Sequence, residues 1–378
     1  MEVETIKMIA TTYEGLEDVL GRELMRMGAE DVDTDVCRVT FSGDKYLLYQ
    51  ANYELRTALK IYKEVLNFDF SSAEDFFSQF SGYRWSKILN IYKSFRVEVS
   101  SKSSLLGSDV EIKDTLTKII LEYFNEKSRK TPPHDNSNPS VVIVLEISEA
   151  NNCKFLLDSS GESLARRGYK VSNPSVAAFD EVLSAGIVQL TGWKANTNFV
   201  DPLAGAGIML IEAAMFAYNI PSQVCRENFG FFSWRDFDSE IWQDIKSSAK
   251  VRIKHNGEFA FKIIGYEADE HNVKAGIQNV KKAMLDKYID IQKGDYSDIM
   301  LPSGPTTAVV NAPKIDVFKK EDSKETVDML SKLVKKTFKG EKTWIISDNT
   351  ELDKLIGVQH TKECEVKNGK FPFILGMY

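Results

Sequence analysis

Seven residues, Asp201-Pro-Leu-Ala-Gly-Ala-Gly207, lie between a short apolar strand at Phe199-Val200 and the apolar run Ile208 to Ala217, and they constrain this chain more than any other segment. Strand, glycine turn and helix in that order let backbone N–H groups and a helix N-terminus approach a bound cofactor closely. Such a turn also occurs as a plain tight connection whose glycines take up positive φ, so the elements that follow decide between the readings. Phe261 to Asp269 predicts a second strand ending near Glu267, followed by a helical stretch from Glu270 to Met284. Tyr288 to Asp295 predicts a third strand, again ending in an acid, and Thr306 to Asn311 a fourth that leads into Ala312-Pro313-Lys314. In an open α/β sheet ligands bind at the carboxyl ends of the strands, and an acid ending the strand after the glycine loop is placed to accept from ribose hydroxyls. Glu267 fits that role. The pattern predicts a nucleotide-like cofactor beside an amine-bearing substrate; the competing reading makes Glu267 and Asp295 solvated strand-end acids.

Several further stretches carry a family resemblance. They are Gly15-Leu-Glu-Asp-Val-Leu-Gly-Arg-Glu-Leu24, Asn52-Tyr-Glu-Leu-Arg56, Leu157 to Leu164, Arg167-Gly-Tyr169, Glu181 to Gly186, Gly192-Trp193 and Ile211-Glu-Ala-Ala214. With the glycine loop, they make the second half resemble class I S-adenosylmethionine-dependent methyltransferases. The whole chain resembles the bacterial THUMP-domain RNA methyltransferases that act on guanine N2 of large-subunit rRNA. The resemblance implies an α/β fold, a Rossmann-like methyltransferase domain over residues 161–378 with a linker helix at about 179–191. Ahead of it would stand α+β units, a ferredoxin-like domain over 1–65 and a THUMP domain over 66–160. It implies a seven-stranded, mostly parallel sheet completed by an antiparallel hairpin, with a type I′ turn at Asn368-Gly369. It also implies S-adenosylmethionine as cofactor, held by Asp201, Gly205, Gly207, Glu267 and Asp295, and RNA as partner.

The local patterns agree. Leu16 to Met27 places Leu16, Val19, Leu20, Leu24 and Met27 at helical spacing, with Gly28 suited to the position beyond the C-terminus. Strands are expected at Ile6 to Thr11, Cys37 to Ser42, Ser94 to Ser100 and Val141 to Ile147, and a helix from Val110 to Phe124. A proline-containing loop is expected from Lys127 to Ser140. The insertion at about 218–260 holds Phe229-Gly-Phe-Phe-Ser-Trp234 and is read as an aromatic mini-core of its own rather than a base-stacking surface. Four scattered cysteines without a CxxC spacing, and four histidines without a ligand pair, support neither a disulfide framework nor a metal site. Buried free thiols are expected. No run of about 18 apolar residues is long enough to span a bilayer, and no signal-peptide pattern opens the chain, so it reads as cytoplasmic.

The resemblance is weakest where methyl transfer needs it. In the family, an Asn-Pro-Pro-Tyr or Asn-Pro-Pro-Phe motif ends the fourth strand. Its Asn side chain and a backbone carbonyl accept from the exocyclic amine while the ring stacks on the base. The matching positions here are Asn311, Ala312, Pro313 and Lys314, so the oxygens are retained and the ring is missing. Losing such a stack removes about 1 to 3 kcal/mol per base. Ile315-Asp316-Val317 stands where Gly-Glu-Arg normally follows, and the glycine loop has Ala204, Ala206 and Ile208 where the family has Cys, Ser and Thr.

Charge points the same way. Residues 1–160 hold 19 Lys and Arg against 26 Asp and Glu, whereas residues 161–378 hold 29 of each. Phosphate binding relies on clustered positive charge and counterion release, so an acidic RNA-binding half argues for weak RNA binding unless cations gather locally, as around Lys127, Arg129 and Lys130. Three readings compete. One is an impaired methyltransferase acting as an RNA- or protein-binding module, alone or with an active paralogue. The second is an active rRNA guanine-N2 methyltransferase. A Rossmann-type dehydrogenase is the third, disfavoured by the Asn-x-Pro at the fourth strand and by the terminal hairpin.

Overall fold

The computed structural model of the protein describes residues 4–171, 179–254, 260–297, 299–313, 320–369 and 371–378, without the side chains of residues 320–323. Two seven-stranded sheets organise them. The first contains β1 (Ile6–Thr11), β2 (Glu30–Asp35), β3 (Arg38–Gly43), β4 (Lys60–Asp69), β5 (Phe95–Ser101), β6 (Val141–Ile147) and β7 (Asn152–Asp158), in the order β2-β3-β1-β4-β7-β6-β5. Strand β4 joins its two parts. It pairs antiparallel with β1 at one edge and with β7 from Tyr62 to Asp69 at the other. The two N-terminal α+β units therefore share one sheet. Helices α1 (Glu17–Arg26), α2 (Lys45–Glu54) and α4 (Asp109–Ser128) pack against it, and α3 (Ala73–Ser81) packs on α4. Gly28 follows α1 at φ +87°, in the left-handed region that a glycine enters without a Cβ clash. Helix α4 starts where Ser108 and Glu111 cap each other reciprocally, and it runs four residues past the expected Phe124, to Ser128, with Arg129 beyond it in the left-handed region.

The second sheet contains β8 (Asn198–Asp201), β9 (Ile263–Glu267), β10 (Ile289–Lys293), β11 (Thr306–Asn311), β12 (Lys342–Ser347), β13 (Lys362–Asn368) and β14 (Phe371–Met377). Its order is β10-β9-β8-β11-β12-β14-β13. The first five are parallel, and β14 runs antiparallel between β12 and β13. Alternate residues bury against opposite faces. Phe199, Ile263, Val309 and Trp344 join one apolar cluster, while Val200, Ile264, Val310 and Ile345 join another. A sheet buried on both faces needs such continuous apolar strands. The remaining helices are α5 (Glu181–Leu190), α6 (Ile208–Ala217), α7 (Ser239–Arg252), α8 (Glu270–Lys282), α9 (Lys320–Lys332) and α10 (Leu352–Ile356). The chain winds outward from β8 to β10 and then returns to β11 on the other side. This puts the switch point of the sheet, and so its crevice, at the ends of β8 and β11.

Two details differ from expectation. Asn368 pairs with Phe371, so the hairpin loop is Gly369-Lys370 and Gly369 at φ +62° takes its first central position, one residue later than the motif suggests. Lys370 lies outside the described residues. The four cysteines are free, but only Cys153 is fully buried.

The N-terminal half and the methyltransferase-like half interlock. Leu16, just before α1, and Val19 within it belong to the apolar cluster of the second sheet. Gly15, at φ +93°, lies so close to the terminal hairpin that a Cβ there would sit 2.2 Å from the Glu365 carbonyl oxygen. In return, the insertion gives Phe229, Phe231, Trp234 and Trp242 to the core of the first sheet. The Tyr49 ring of α2 stacks on Phe231, with centroids 4.2 Å apart. These aromatics are buried, but in the core of the first sheet and α2 rather than in a mini-core of the insertion alone, because Tyr49 supplies a facing ring from far away in sequence.

Candidate active site at the parallel strand ends

The glycine loop is held from four sides. The Ala204 N–H donates to the Tyr266 carbonyl (2.9 Å) and the Gly207 N–H to the Ala204 carbonyl (2.8 Å). The Asn279 amide of α8 donates to the Ala206 carbonyl (2.9 Å), and its oxygen accepts from the Val171 N–H (2.8 Å). Glu267, at the end of β9, accepts from the Gly205 N–H (2.8 Å) and from the Asp269 N–H (2.9 Å). The two glycines differ in kind. Gly207, at φ +75°, starts α6, and a Cβ there would press on Ile291 Cδ1 at 2.9 Å. Gly205, at φ +53°, has no atom of the described residues within 4 Å of an added Cβ, so its open face looks into the crevice.

Three acids end adjacent strands. Asp201 closes β8 and Glu267 closes β9, while Asp295 lies two residues past β10. Asp295 is exposed and accepts from the Ser297 N–H (2.9 Å). Asp201 is 3% exposed and accepts from the Leu203 N–H (3.0 Å). Burial, reinforced by the charge of Glu267, pushes the Asp201 carboxyl up to about 7 against the opposing pull of that hydrogen bond. A carboxyl raised above its unfolded value of 3.8 keeps a proton in the folded state that the unfolded chain has released. Its stabilising contribution is complete below about pH 4 and is lost as pH rises through about 7. Asp201→Asn is therefore expected to flatten the fall in melting temperature between pH 4 and pH 8 in scanning calorimetry. Glu181, also raised to about 7 chiefly by burial, leaves a residual slope. A variant profile parallel to that of the wild type would contradict the linkage.

Across the switch point, Asn311 ends β11 opposite Ile346 and is half-buried. The Ala312 N–H donates to the Ile346 carbonyl (3.0 Å), the bond that closes the Asn311–Ile346 pair at the end of β11. The Ala312 side chain packs into the apolar cluster beneath, and Pro313 is exposed. Lys314 to Val317 lie outside the described residues. Direct bonds thus link Gly205 to Glu267 within the loop. Asp201, Asp295, Asn311, Ala312 and Pro313 share the same edge of the sheet without bonding to one another.

One constellation carries no role in the sequence reading. Helix α6 is buried along nearly its whole length, yet it holds Glu212, at 0% exposure. Its Oε1 accepts from Arg167 Nε (3.3 Å) and from the Tyr169 hydroxyl (2.8 Å). Arg167 also donates to the carbonyls of Arg56 (2.6 Å) and Leu164 (3.1 Å). Arg56, in the N-terminal half, donates to the carbonyls of Met215 (3.0 Å) and Ile220 (2.7 Å) at the far end of α6. A lone carboxylate in an apolar helix must be partnered when buried, and that mismatch was the available sequence clue.

Comparison with known proteins agrees with this architecture. Residues 167–375 match the RMKL-like methyltransferase domain, and residues 7–62 match the RlmL ferredoxin-like domain. A Synechocystis sp. protein whose name proposes RNA methyltransferase activity is 26% identical over 370 residues, covering 98% of this chain and 95% of that one. A crystal structure from Clostridium difficile 630, described as a possible methylase, superposes with a TM-score of 0.87 at 26% identity, covering 99% of this chain and 98% of that one. The same TM-score at 22% identity, with the same coverage, relates the fold to SMU.472, a proposed methyltransferase crystallised with S-adenosylhomocysteine. With more than half of its length matched by one family, the chain belongs to the RMKL-like methyltransferase domain family and carries an RlmL-type ferredoxin-like domain ahead of it.

Proposed function

We propose that this protein keeps an S-adenosylmethionine cradle at Asp201, Gly205, Gly207 and Glu267 but transfers methyl groups to RNA slowly or not at all, acting mainly as an RNA- or protein-binding module. The observation that carries the reading is the hydrogen bond from the Ala312 N–H to the Ile346 carbonyl. A proline at that position, as in the family motif, has no N–H to donate, so the chain leaves its neighbour strand directly after the Asn. Here Ala312 makes that bond, closing the last pair of β11, and Lys314 stands at the position of the stacking ring. Asp295 would lie near the adenine amine. The domain division at about residues 65 and 160, the THUMP assignment of the middle unit and a cytoplasmic place beside RNA belong to the same proposal. Among the described residues no helix is long and apolar enough to cross a membrane.

Titration calorimetry with S-adenosylhomocysteine tests the cradle. Wild-type protein is expected to bind with a Kd of order 10 to 100 µM, about −5.5 to −7 kcal/mol. Gly205→Ala puts a methyl group into open space beside the loop and is expected to weaken binding at least tenfold, with its own cost of about 1 kcal/mol for the left-handed backbone at φ +53° read separately by thermal unfolding. Gly207→Ala instead strains a helix start against Ile291, and should lower stability by about 1 to 2 kcal/mol through its left-handed backbone. No heat from the wild type at millimolar ligand would leave the fold as a scaffold only. Robust methylation of RNA by the wild type would restore the active reading, which the retained Asn311 favours.

A further inference from the structure

Away from the strand ends, a cleft of about 1260 Å³ opens between the first sheet and the insertion. One wall is the Ser137–Ser140 loop beside Arg96, and the other is the Cys225–Ser233 segment of the insertion. The Ser160–Arg166 stretch lines it too, as do Lys282 and Met284 past the end of α8. Its volume exceeds what a small-molecule pocket needs, roughly 300 to 1,000 Å³.

The charge of this cleft runs against that of its surroundings. Lys60, Arg96, Arg166, Arg226 and Lys282 line it against only Asp158, Glu162 and Glu227, in a molecule whose first 160 residues carry an acidic excess of seven. Two of the three acids are held by cations of the cleft, and Arg96 is held in turn by Glu98, so Arg226 and Lys282 carry the excess. Asp158 has a side chain 1% exposed and is bound to Lys60, and Glu162 pairs with Arg166 on an exposed surface, 68% and 73% accessible. Exposed pairs of that kind exchange readily. Arg226 differs from the others. Its guanidinium donates to five carbonyls, those of Asn228 (2.8 Å), Ser163 (2.8 Å), Arg166 (3.3 Å), Ser160 (2.9 Å) and Glu162 (2.8 Å). Those bonds satisfy its donors without neutralising its charge, so a fixed positive centre sits in the wall and orders the loop that presents Arg166. The expected alternative patch is less open, because Lys127 donates to Tyr123 and lies over its ring at 4.3 Å.

We propose that this cleft holds a single-stranded segment of RNA by its phosphodiester backbone, with Arg166 and Lys282 as the phosphate-contacting cations and Arg226 as the positioning residue behind them. The proposal rests on the RNA-directed reading above and adds the site. An acidic peptide fits less well, since Ser137, Asn138 and Ser140 offer neutral polar groups suited to a sugar-phosphate chain beside the rings of Phe229 and Phe232.

Fluorescence anisotropy with a labelled, unstructured 12-nucleotide RNA and the full chain tests it, across a series of salt concentrations. Arg166→Ala with Lys282→Ala, both at the surface, is expected to weaken binding by roughly tenfold or more at low salt. Removing two phosphate contacts should make the log–log salt slope shallower by about 1.4, since each contact on a single strand contributes about 0.7. Lys118→Ala with Lys342→Ala, both exposed and outside the cleft, should leave both quantities unchanged. Circular dichroism confirms that each variant is folded. Wild-type protein that does not bind the RNA, a double variant that binds like the wild type, or a poly-glutamate probe bound in its place and lost in the same variant would each overturn the proposal. Calorimetry with S-adenosylhomocysteine is read separately, so failure of the cleft and failure of the cofactor cradle are told apart.

Discussion

Glu212→Ala is expected to destabilise the protein by about 3 to 5 kcal/mol, the loss typical when one partner of a buried ion pair is removed and the other is left charged in the interior. Glu212 and Arg167 both have side chains at 0% exposure, and the Tyr169 hydroxyl shares the same carboxylate oxygen. Burial and the Glu212 charge hold the Tyr169 hydroxyl far above its ordinary value, so it stays a donor at every working pH. The effect should not stay local. Arg167 grips the Arg56 carbonyl, Arg56 grips the last turn of α6, and Glu23 of α1 accepts from Thr57 Oγ1 (2.6 Å) and from Gln189 of α5 (2.9 Å). The network therefore ties the N-terminal half to the helix that starts at the glycine loop. Urea unfolding followed by circular dichroism measures the loss. Replacing both partners with apolar residues, Arg167→Met with Glu212→Leu, should recover much of it, because a well-packed apolar pair is often as stable as the ions it replaces. A single variant within about 1 kcal/mol of the wild type would show that the pair is not desolvated as the geometry implies.

This network marks where sequence reading stopped. Elements with strong local patterns were legible: the strand, turn and helix around Gly207, the acids ending β9 and following β10, and the apolar runs of β6 and β11 all lie where their patterns put them. Two-sided burial of the parallel strands follows from continuous apolar runs. What could not be read depends on residues far apart in sequence. Arg56 meets Ile220 across 164 positions, and the aromatics of the insertion fill the core under α2 because Tyr49, 182 residues earlier, supplies the facing ring. Nothing local in either segment names its partner. The hairpin turn was misplaced by one residue for a different reason. Asn-Gly satisfies the loop chemistry in two adjacent registers, and the pairing of Asn368 with Phe371 decides between them. Asn279 was missed because an Asn inside a helix looks like a surface residue until its amide is seen to bridge the Ala206 carbonyl and the Val171 N–H.

Methyl transfer provides the sharpest contrast. Purified wild-type protein, incubated with labelled S-adenosylmethionine and rRNA from cells lacking the gene, is expected to give incorporation no higher than its Asn311→Ala variant. Orientation is what such a site supplies, and a flexible, hydrated ammonium on Lys314 cannot fix a base plane as a ring does. Lys314→Tyr alone should tighten base binding by roughly tenfold, in line with about 1 to 3 kcal/mol per stacked base, yet leave turnover low. The reason is the Ala312 N–H bond to the Ile346 carbonyl, which ties the backbone to β12 where a proline of the family motif would have no N–H to donate. Adding Ala312→Pro removes that donor, losing about 1 kcal/mol of stability, and releases the chain directly after Asn311. Turnover should therefore appear only in the double variant and vanish again when Asn311→Ala is added. Two results would overturn this account. Robust incorporation by the wild type, abolished by Asn311→Ala, would make the protein an active methyltransferase that positions its base without a ring. Turnover restored by Lys314→Tyr alone would show that the Ala312 N–H bond to Ile346 is no obstacle, leaving the missing aromatic as the whole of the defect.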